Sequence, residues 1–371
     1  MAKRKEEESL EMKSENLKYD LSKIDSAILS IKKELSEDTV IDVGVVTEMP
    51  RTPTRSPTIG YIFGSGGTPH GKIIELYGPE SSGKTLVAEN IMADFQREGK
   101  FVAMVDAEFS FDAKYAQVQG LDVSKEKFAL FQPNCGEDAF TIVEKLASTG
   151  QVSCITVDSI ASLVPTAEMN GEMTDQQMGA QARMIGKGLR KVAGICAKNK
   201  CTLIVLNQLR MKIGFVMGNP ETTPGGLALK FWASIRCEVR KGEKDEGEKD
   251  EDVIGIKARI KNVKNKTSIP FRKGEIFISF KDGIDVYGEY VDFAVSMEII
   301  QKGGAWFTVN GNRLQGKANV VKFLKDNNEV FEIIKEKVDS QLRGDPTIEV
   351  ELPETIEESN SVSSLADQAL N

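Results

Sequence analysis

The chain has 371 residues, 40% of them hydrophobic and 28% charged, which excludes wholesale disorder and leaves ample material for a large core. No run approaches the ~18 consecutive apolar residues of a membrane span. The charged start Met1–Glu8 reads as no secretory leader, so a cytosolic chain of roughly two or three domains is expected. With 48 Lys and Arg against 56 Asp and Glu, the formal net charge is −8, which on its face argues against a nucleic-acid partner.

Residues 1–40 are highly charged, yet Leu21, Ile24, Ile28 and Ile31 recur at helical spacing. That predicts an amphipathic helix whose apolar face needs a partner. The Pro-, Thr- and Gly-rich stretch 50–71 reads as loop with short elements, and His70, the only histidine, as a turn residue with a structural role. From Lys72 to Val239, fully apolar runs alternate with helical patterns. The runs Ile73–Tyr77, Phe101–Val105, Cys154–Val157 and Thr202–Leu206 predict a mostly parallel sheet covered on both faces. Leu189, Val192, Ala193 and Cys196 mark the buried face of the helix before the last run. Five cysteines without a CxxC pair read as reduced, mostly structural thiols.

Lys241–Asp252 reads as a solvated hairpin tip or loop. Beyond it Ile256, Ala258 and Ile260 alternate with Lys257, Arg259 and Lys261, a half-buried strand with one basic face, and Glu275–Phe280 reads as its antiparallel partner. From Tyr287 the pattern is helical and smaller, with a turn at Gly303–Phe307 and a helix around Asn319–Lys325. The last 28 residues carry seven acidic and no basic side chains and read as a disordered tail.

The clearest chemistry is Gly78, Pro79, Glu80, Ser81, Ser82, Gly83, Lys84 and Thr85, a GxxxxGK[ST] match between a strand and a helix. Its glycines let backbone N–H groups curl around an anion at a positive helix end. Lys84 is expected on the β- and γ-phosphates of a nucleoside triphosphate and Thr85 on Mg²⁺. Asp158, ending an apolar strand, is the candidate second metal carboxylate, although a strand-end Asp could instead cap the next helix. Glu108, in Asp106-Ala107-Glu108, is the candidate general base or water-positioner. Gln208, just past the strand 202–206, is the candidate phosphate sensor at the strand C-termini.

Beyond the phosphate motif, Glu75–Thr85, Asp106–Glu108, Asn207–Gly214, Gly218–Thr223, Ala228–Phe231, Val263–Lys266 and Gly288–Asp292 stand in an order that resembles the bacterial RecA recombinase family, cellular or phage-encoded, over residues 50–335. The resemblance implies an α/β fold. It would have a P-loop RecA-type ATPase core with a mostly parallel central sheet, an N-terminal helical oligomerisation segment and a small α+β C-terminal domain. The expected parts are 1–45 for subunit packing, 46–285 for the core, 286–343 for the small domain and 344–371 for the acidic tail.

By the same resemblance, Glu108 takes the catalytic role and Gln208 senses the γ-phosphate, while Asp112 and Tyr115 meet the adenine, Tyr115 stacking on it. Lys264 and Lys266 reach a neighbour's ATP, with Pro270 in the same nucleotide set, and Lys230 and Phe231 lie at the subunit interface. That implies a helical filament, with ATP and Mg²⁺ as cofactors, single-stranded and homologous duplex DNA as partners, and LexA-type repressors and single-strand-binding protein as further candidates.

Two loops, 168–183 and 209–226, are implied to hold DNA through Met178, Arg183, Arg190, Arg210, Met211, Lys212, Ile213, Gly214, Asn219, Gly225 and Gly226, with Phe215 a further apolar wedge. Cations neutralise phosphates and apolar side chains enter unstacked steps. Pro224, in a position where the family pattern has Thr, departs from it and stiffens the loop's end. The weighed alternative is a hexameric DnaB-type helicase motor on the same core.

The acidic total is unevenly spread. Residues 1–40 contribute −2, Lys241–Asp252 −4 and Gly344–Asn371 −7, leaving +5 for the rest. Val253–Lys273 alone has seven cations and no acid, so the charge distribution is compatible with DNA.

Overall fold

The computed structural model describes residues 20–35, 49–171, 179–211, 221–242 and 254–344. The N-terminal unit contains helix α1 (Leu21–Glu34), started by Asp20, whose carboxylate accepts the Ser22 N–H at 3.0 Å. Leu21, Ile24, Leu29 and Ile31 are exposed on it, so its apolar face is uncovered within this unit.

The second unit begins with β1 (Arg51–Pro53), helix α2 (Pro57–Phe63) and β2 (Gly67–Pro69). The short elements expected within this stretch are two paired strands and a buried helix between them. Its signals were local: Ser56 caps the N-terminus and Pro57 stands in the first turn, where its missing N–H costs nothing. His70 completes this region, its Nε2 hydrogen-bonded to Thr52 Oγ1 at 2.9 Å.

Next come β3 (Ile73–Gly78), α3 (Lys84–Arg97), β4 (Phe101–Asp106), α4 (Ala113–Val118), β5 (Phe128–Phe131), α5 (Gly136–Ser148) and β6 (Val152–Asp158). A 3₁₀ turn, Ile160–Ser162, leads to α6 (Thr166–Met169), α7 (Ala180–Lys198) and β7 (Thr202–Gln208). A two-residue ladder, β8 (Arg210–Met211) with β9 (Glu221–Thr222), precedes α8 (Ala228–Trp232). Then β10 (Ile235–Lys241), β11 (Gly255–Asn265), β12 (Lys273–Ser279) and β13 (Gly283–Ile284) extend the sheet. Its order is β13-β12-β11-β10-β3-β7-β6-β4-β5, with β10 through β5 parallel and β11 to β13 antiparallel.

Each expected apolar run is a strand of this sheet, and each is buried because helices cover both faces. The predicted alternation also holds: Ala258 and Ile260 are buried while Arg259 and Lys261 are exposed, and β12 is the antiparallel partner. The hairpin tip expected at 241–252 falls largely on residues 243–253, outside the described residues, as does the acidic tail at 345–371. Cys154, Cys196, Cys201 and Cys237 are buried free thiols.

The C-terminal part packs α9 (Val286–Ser296), a three-stranded sheet β14 (Gln301–Gly303), β15 (Trp306–Val309) and β16 (Asn312–Gln315), α10 (Lys317–Asp326) and α11 (Asn328–Arg343) around its own core. Glu289 ties it to α2: Oε2 accepts the Ser56 hydroxyl at 2.6 Å and the Thr58 N–H at 3.2 Å. Burial pushes this carboxyl up to about 7 against the pull of those bonds. Removing it strands two buried donors. Glu289→Ala is therefore expected to cost about 2 kcal/mol at pH 5, where the folded carboxyl is neutral, and less at pH 8, where its buried charge already weakens the fold, both read from urea denaturation.

Candidate active site

Local backbone geometry builds the phosphate loop. A Cβ at Gly78 would overlap the Val239 carbonyl oxygen of the neighbouring β10, so only glycine fits where β3 runs out. Ser81 and Gly83 adopt left-handed φ of 54° and 92°, curling the chain before α3 starts at Lys84. Pro79, Glu80 and Ser81 are exposed, and Ser82 and Gly83 are buried beneath them. Lys84 Nζ donates to the Pro79 carbonyl at 2.7 Å and the Gly78 carbonyl at 3.2 Å, folding its ammonium over the loop. Burial lowers its pKa, opposed by Asp158, Glu108 and Glu80.

Register supplies the rest. Parallel pairing sets Gly78 beside Gln208 and Asp106 beside Asp158. Asp158, 5% exposed, accepts the Thr85 hydroxyl at 2.7 Å, and the cap of the following 3₁₀ turn is Ser159, with no side-chain cap bond. The strand-end cap reading of Asp158 therefore fails. Its carboxyl is pushed up to about 6, chiefly by burial and further by Glu108 and Asp106, against the Thr85 bond and Lys84.

Glu108 is exposed but held by three donors on one oxygen. Oε1 accepts the Ser159 hydroxyl at 2.5 Å, Gln208 Nε2 at 3.0 Å and the Ser162 hydroxyl at 3.1 Å. Asp106 shapes the loop that presents it, accepting the N–H groups of Glu108 and Phe111 and the Gln132 amide, each at 3.1 Å. Lys84, Thr85, Asp158, Glu108 and Gln208 thus gather along the C-terminal edge of the sheet, where the central strands β3, β7, β6 and β4 end.

The remaining predicted residues fall elsewhere. Asp112 is exposed and caps α4, its Oδ1 accepting the N–H groups of Lys114 and Tyr115, and Tyr115 is half-buried beside Phe280. Lys264, Lys266 and Pro270 are not near this chain's own phosphate loop. Lys264 pairs with Arg236, which pairs with Glu75, two strands over and three residues before Gly78. At ~3.3 Å per residue that is about 10 Å back along the strands. Its ammonium donates to the carbonyls of Lys230 (2.6 Å) and Phe231 (3.2 Å), and Lys266 and Phe231 are exposed close by.

Of the loop residues, Met178, Lys212, Ile213, Gly214, Phe215 and Asn219 lie outside the described residues. Arg183 and Arg190 are exposed seven residues apart on one face of α7, and Arg210 and Met211 are exposed on β8. The two loop exits meet. A Cβ on Gly226 would lie 3.4 Å from Ala182 Cβ, and one on Gly225 3.1 Å from Ile185. Gln181 Nε2 holds the start of α7 to the carbonyls of Ala161 and Leu163, in the turn that carries Ser162.

The RecA N-terminal domain model matches residues 22–285 and the RecA C-terminal domain model residues 288–343. This chain belongs to the RecA family. Protein RecA of Mycoplasmopsis pulmonis is 44% identical over 318 residues, covering 85% of this chain and 93% of that protein. Protein RecA of Bacillus subtilis is 42% identical over 318 residues (85% and 90%), and that of Staphylococcus aureus strain JH9 42% over 323 (86% and 91%). The RecA-type core with a mostly parallel sheet and a small C-terminal domain is the fold found here.

Ser159 and Ser162, and the loop-shaping role of Asp106, are parts of this candidate site that the sequence motifs do not mark. Nor do they mark Glu89, at i+4 from Thr85 on α3 and 3% exposed, whose Oε2 has no hydrogen-bond partner among the described residues. No local pattern singles it out, because Asn90, Asp94 and Gln96 are polar and buried on the same helix. Burial, then repulsion from Asp158 and Asp112, pushes its carboxyl from 4.5 up to about 8. Between those values the folded chain keeps a proton the unfolded chain has lost, so the contribution to stability falls as pH rises. Glu89→Gln should melt about 3 °C above the parent at pH 8 and differ much less at pH 5, by calorimetry without nucleotide.

Proposed function

We propose that this chain is a DNA-dependent ATPase that forms helical filaments on single-stranded DNA and catalyses homologous pairing and strand exchange. Membership of the RecA family supports the broader role in recombination and repair. The observation that carries the finer reading is the Gln208–Glu108 hydrogen bond. It joins the group that would orient the attacking water to the residue at the root of loop 209–226, two positions before Arg210.

Within this reading the phosphates of ATP lie on the N-terminus of α3, where Lys84 exchanges its loop carbonyls for the β- and γ-phosphates. Thr85 and Asp158 suit Mg²⁺: they are oxygen donors 2.7 Å apart, and the raised Asp158 carboxyl is relieved by a cation. Bound there, the ion would neutralise phosphate charge. Glu108, fixed by Ser159, Ser162 and Gln208, accepts a proton from the attacking water. Asp112 and Tyr115 take the adenine.

The separation of Lys264, Lys266 and Pro270 from their own phosphate loop supports an assembly in which they serve a neighbour's ATP, with Lys230 and Phe231 at the same contact. A head-to-tail contact of that kind polymerises. Residues 1–45 would pack between subunits, 46–285 would form the ATPase core and 286–343 the small domain. The acidic tail 344–371 would compete with DNA for the basic surfaces. Loops 168–183 and 209–226 would hold the strand. A helicase motor of the DnaB type gains no support from the two RecA family matches. Among the described residues no helix is long and apolar enough to cross a membrane.

Turnover of ATP is expected to rise at least tenfold when single-stranded DNA is added, and electron microscopy with a slowly hydrolysed analogue should show filaments. Absence of both effects would overturn the reading. Glu108→Gln should bind ATP normally while turnover falls by about 100-fold or more; near-normal turnover removes the assigned role.

A further inference from the structure

Beside the nucleotide edge, one buried polar side chain takes no part in the chemistry above. Asn207 is 0% exposed, and its amide is used at both ends. Oδ1 accepts the backbone N–H of Gln208 at 3.0 Å. Nδ2 donates to Glu75 Oε1 at 3.0 Å and to the Pro224 carbonyl at 3.2 Å. Glu75, also 0% exposed, gives its other oxygen to Arg236, whose guanidinium lies 4.9 Å from the centre of the Tyr77 ring.

These contacts make a clamp with a fixed back. A buried, well-paired carboxylate is costly to disturb, so Glu75 with Arg236 is the anchor. What the clamp holds together is Gln208 on one side and the exit of loop 209–226 on the other. At that exit Pro224 has a ring-restricted φ and no N–H. The two residues after it, Gly225 and Gly226, take φ of 88° and 67°. A stiff post is followed at once by a left-handed glycine pair able to act as a hinge.

We propose that Asn207 is a positioning residue that couples Gln208 to the exit of this loop, so that a displacement of Gln208 by nucleotide is passed to Pro224 rather than lost in the core. This rests on the reading of Gln208 and of loop 209–226 given above. The residue type follows from the geometry. The site needs one acceptor and two donors on a neutral, planar group. Aspartate would set a second carboxylate against Glu75, and leucine would strand the Gln208 N–H, the Pro224 carbonyl and one oxygen of Glu75.

A merely structural asparagine and a coupling one differ in what they change. In the full-length chain, Asn207→Ala is expected to hold affinity for a slowly hydrolysed ATP analogue within twofold while DNA-stimulated kcat falls about tenfold. Combined with Gln208→Ala it should lower that rate no further than Gln208→Ala alone, because the two act in series. Losses that multiply, or full DNA stimulation in folded Asn207→Ala, overturn the proposal.

Pro224→Gly loosens the half-exposed post without touching a buried side chain and tests the same idea should the core variant fail to fold. Weakened stimulation at unchanged analogue affinity supports the coupling, and undiminished stimulation overturns it. Absence of DNA stimulation in the parent chain instead overturns the function proposed above, and the coupling with it.

Discussion

Gly78 pairs with Gln208, and Asp106 with Asp158, because β3, β7, β6 and β4 run parallel and their ladders fix where each strand stops relative to the next. Everything gathered at the C-terminal ends of these strands depends on that register. A shift of one residue would turn every side chain on the strand to the opposite face. Asp158 would then lose Thr85, and Gln208 would lose Glu108. Helices on both faces keep the strands buried, so a slip would exchange side chains between two packed cores and mispack both.

The edge is electrostatically unbalanced by design of its contacts. Asp158 and Glu89 are pushed up, to about 6 and about 8, while Lys84 is pushed down and leans on backbone carbonyls. Each shift is what burial does to a charge lacking its complement. An anion at Lys84 together with a cation at Asp158 would relieve both, which is the charge pattern of a metal–triphosphate. Glu108 is exposed, yet tethered by three donors.

From this edge two hydrogen-bonded routes lead away. One passes from the Ser159–Ser162 turn through Gln181 to the start of α7, and the other from Gln208 through Asn207 to Pro224. They converge where Gly225 and Gly226 pack on Ile185 and Ala182. Both proposed DNA loops therefore exit over one packed seam rooted beside the phosphate site. Lys264 adds a contact of another kind, because its ammonium is engaged by the carbonyls of Lys230 and Phe231 in this chain.

The phosphate loop, the four central strands and the alternating strand 256–260 were legible in the sequence because each depends on neighbours a few positions away. Turn glycines, apolar runs and period-two alternation are short-range signals, and the motif order was specific enough to mark the family. The helix Pro57–Phe63 was also locally encoded, by Ser56 and Pro57, but was masked by a glycine- and proline-rich composition. What only the tertiary structure decided is which side chains meet across long separations. Ser159 and Ser162 fall on Glu108, Asn207 bridges Glu75 and Pro224, and Lys264 lies away from its own phosphate loop. Such contacts are set by strand order and register, which no local pattern specifies, so the chemistry could be read in one dimension and its wiring only in three.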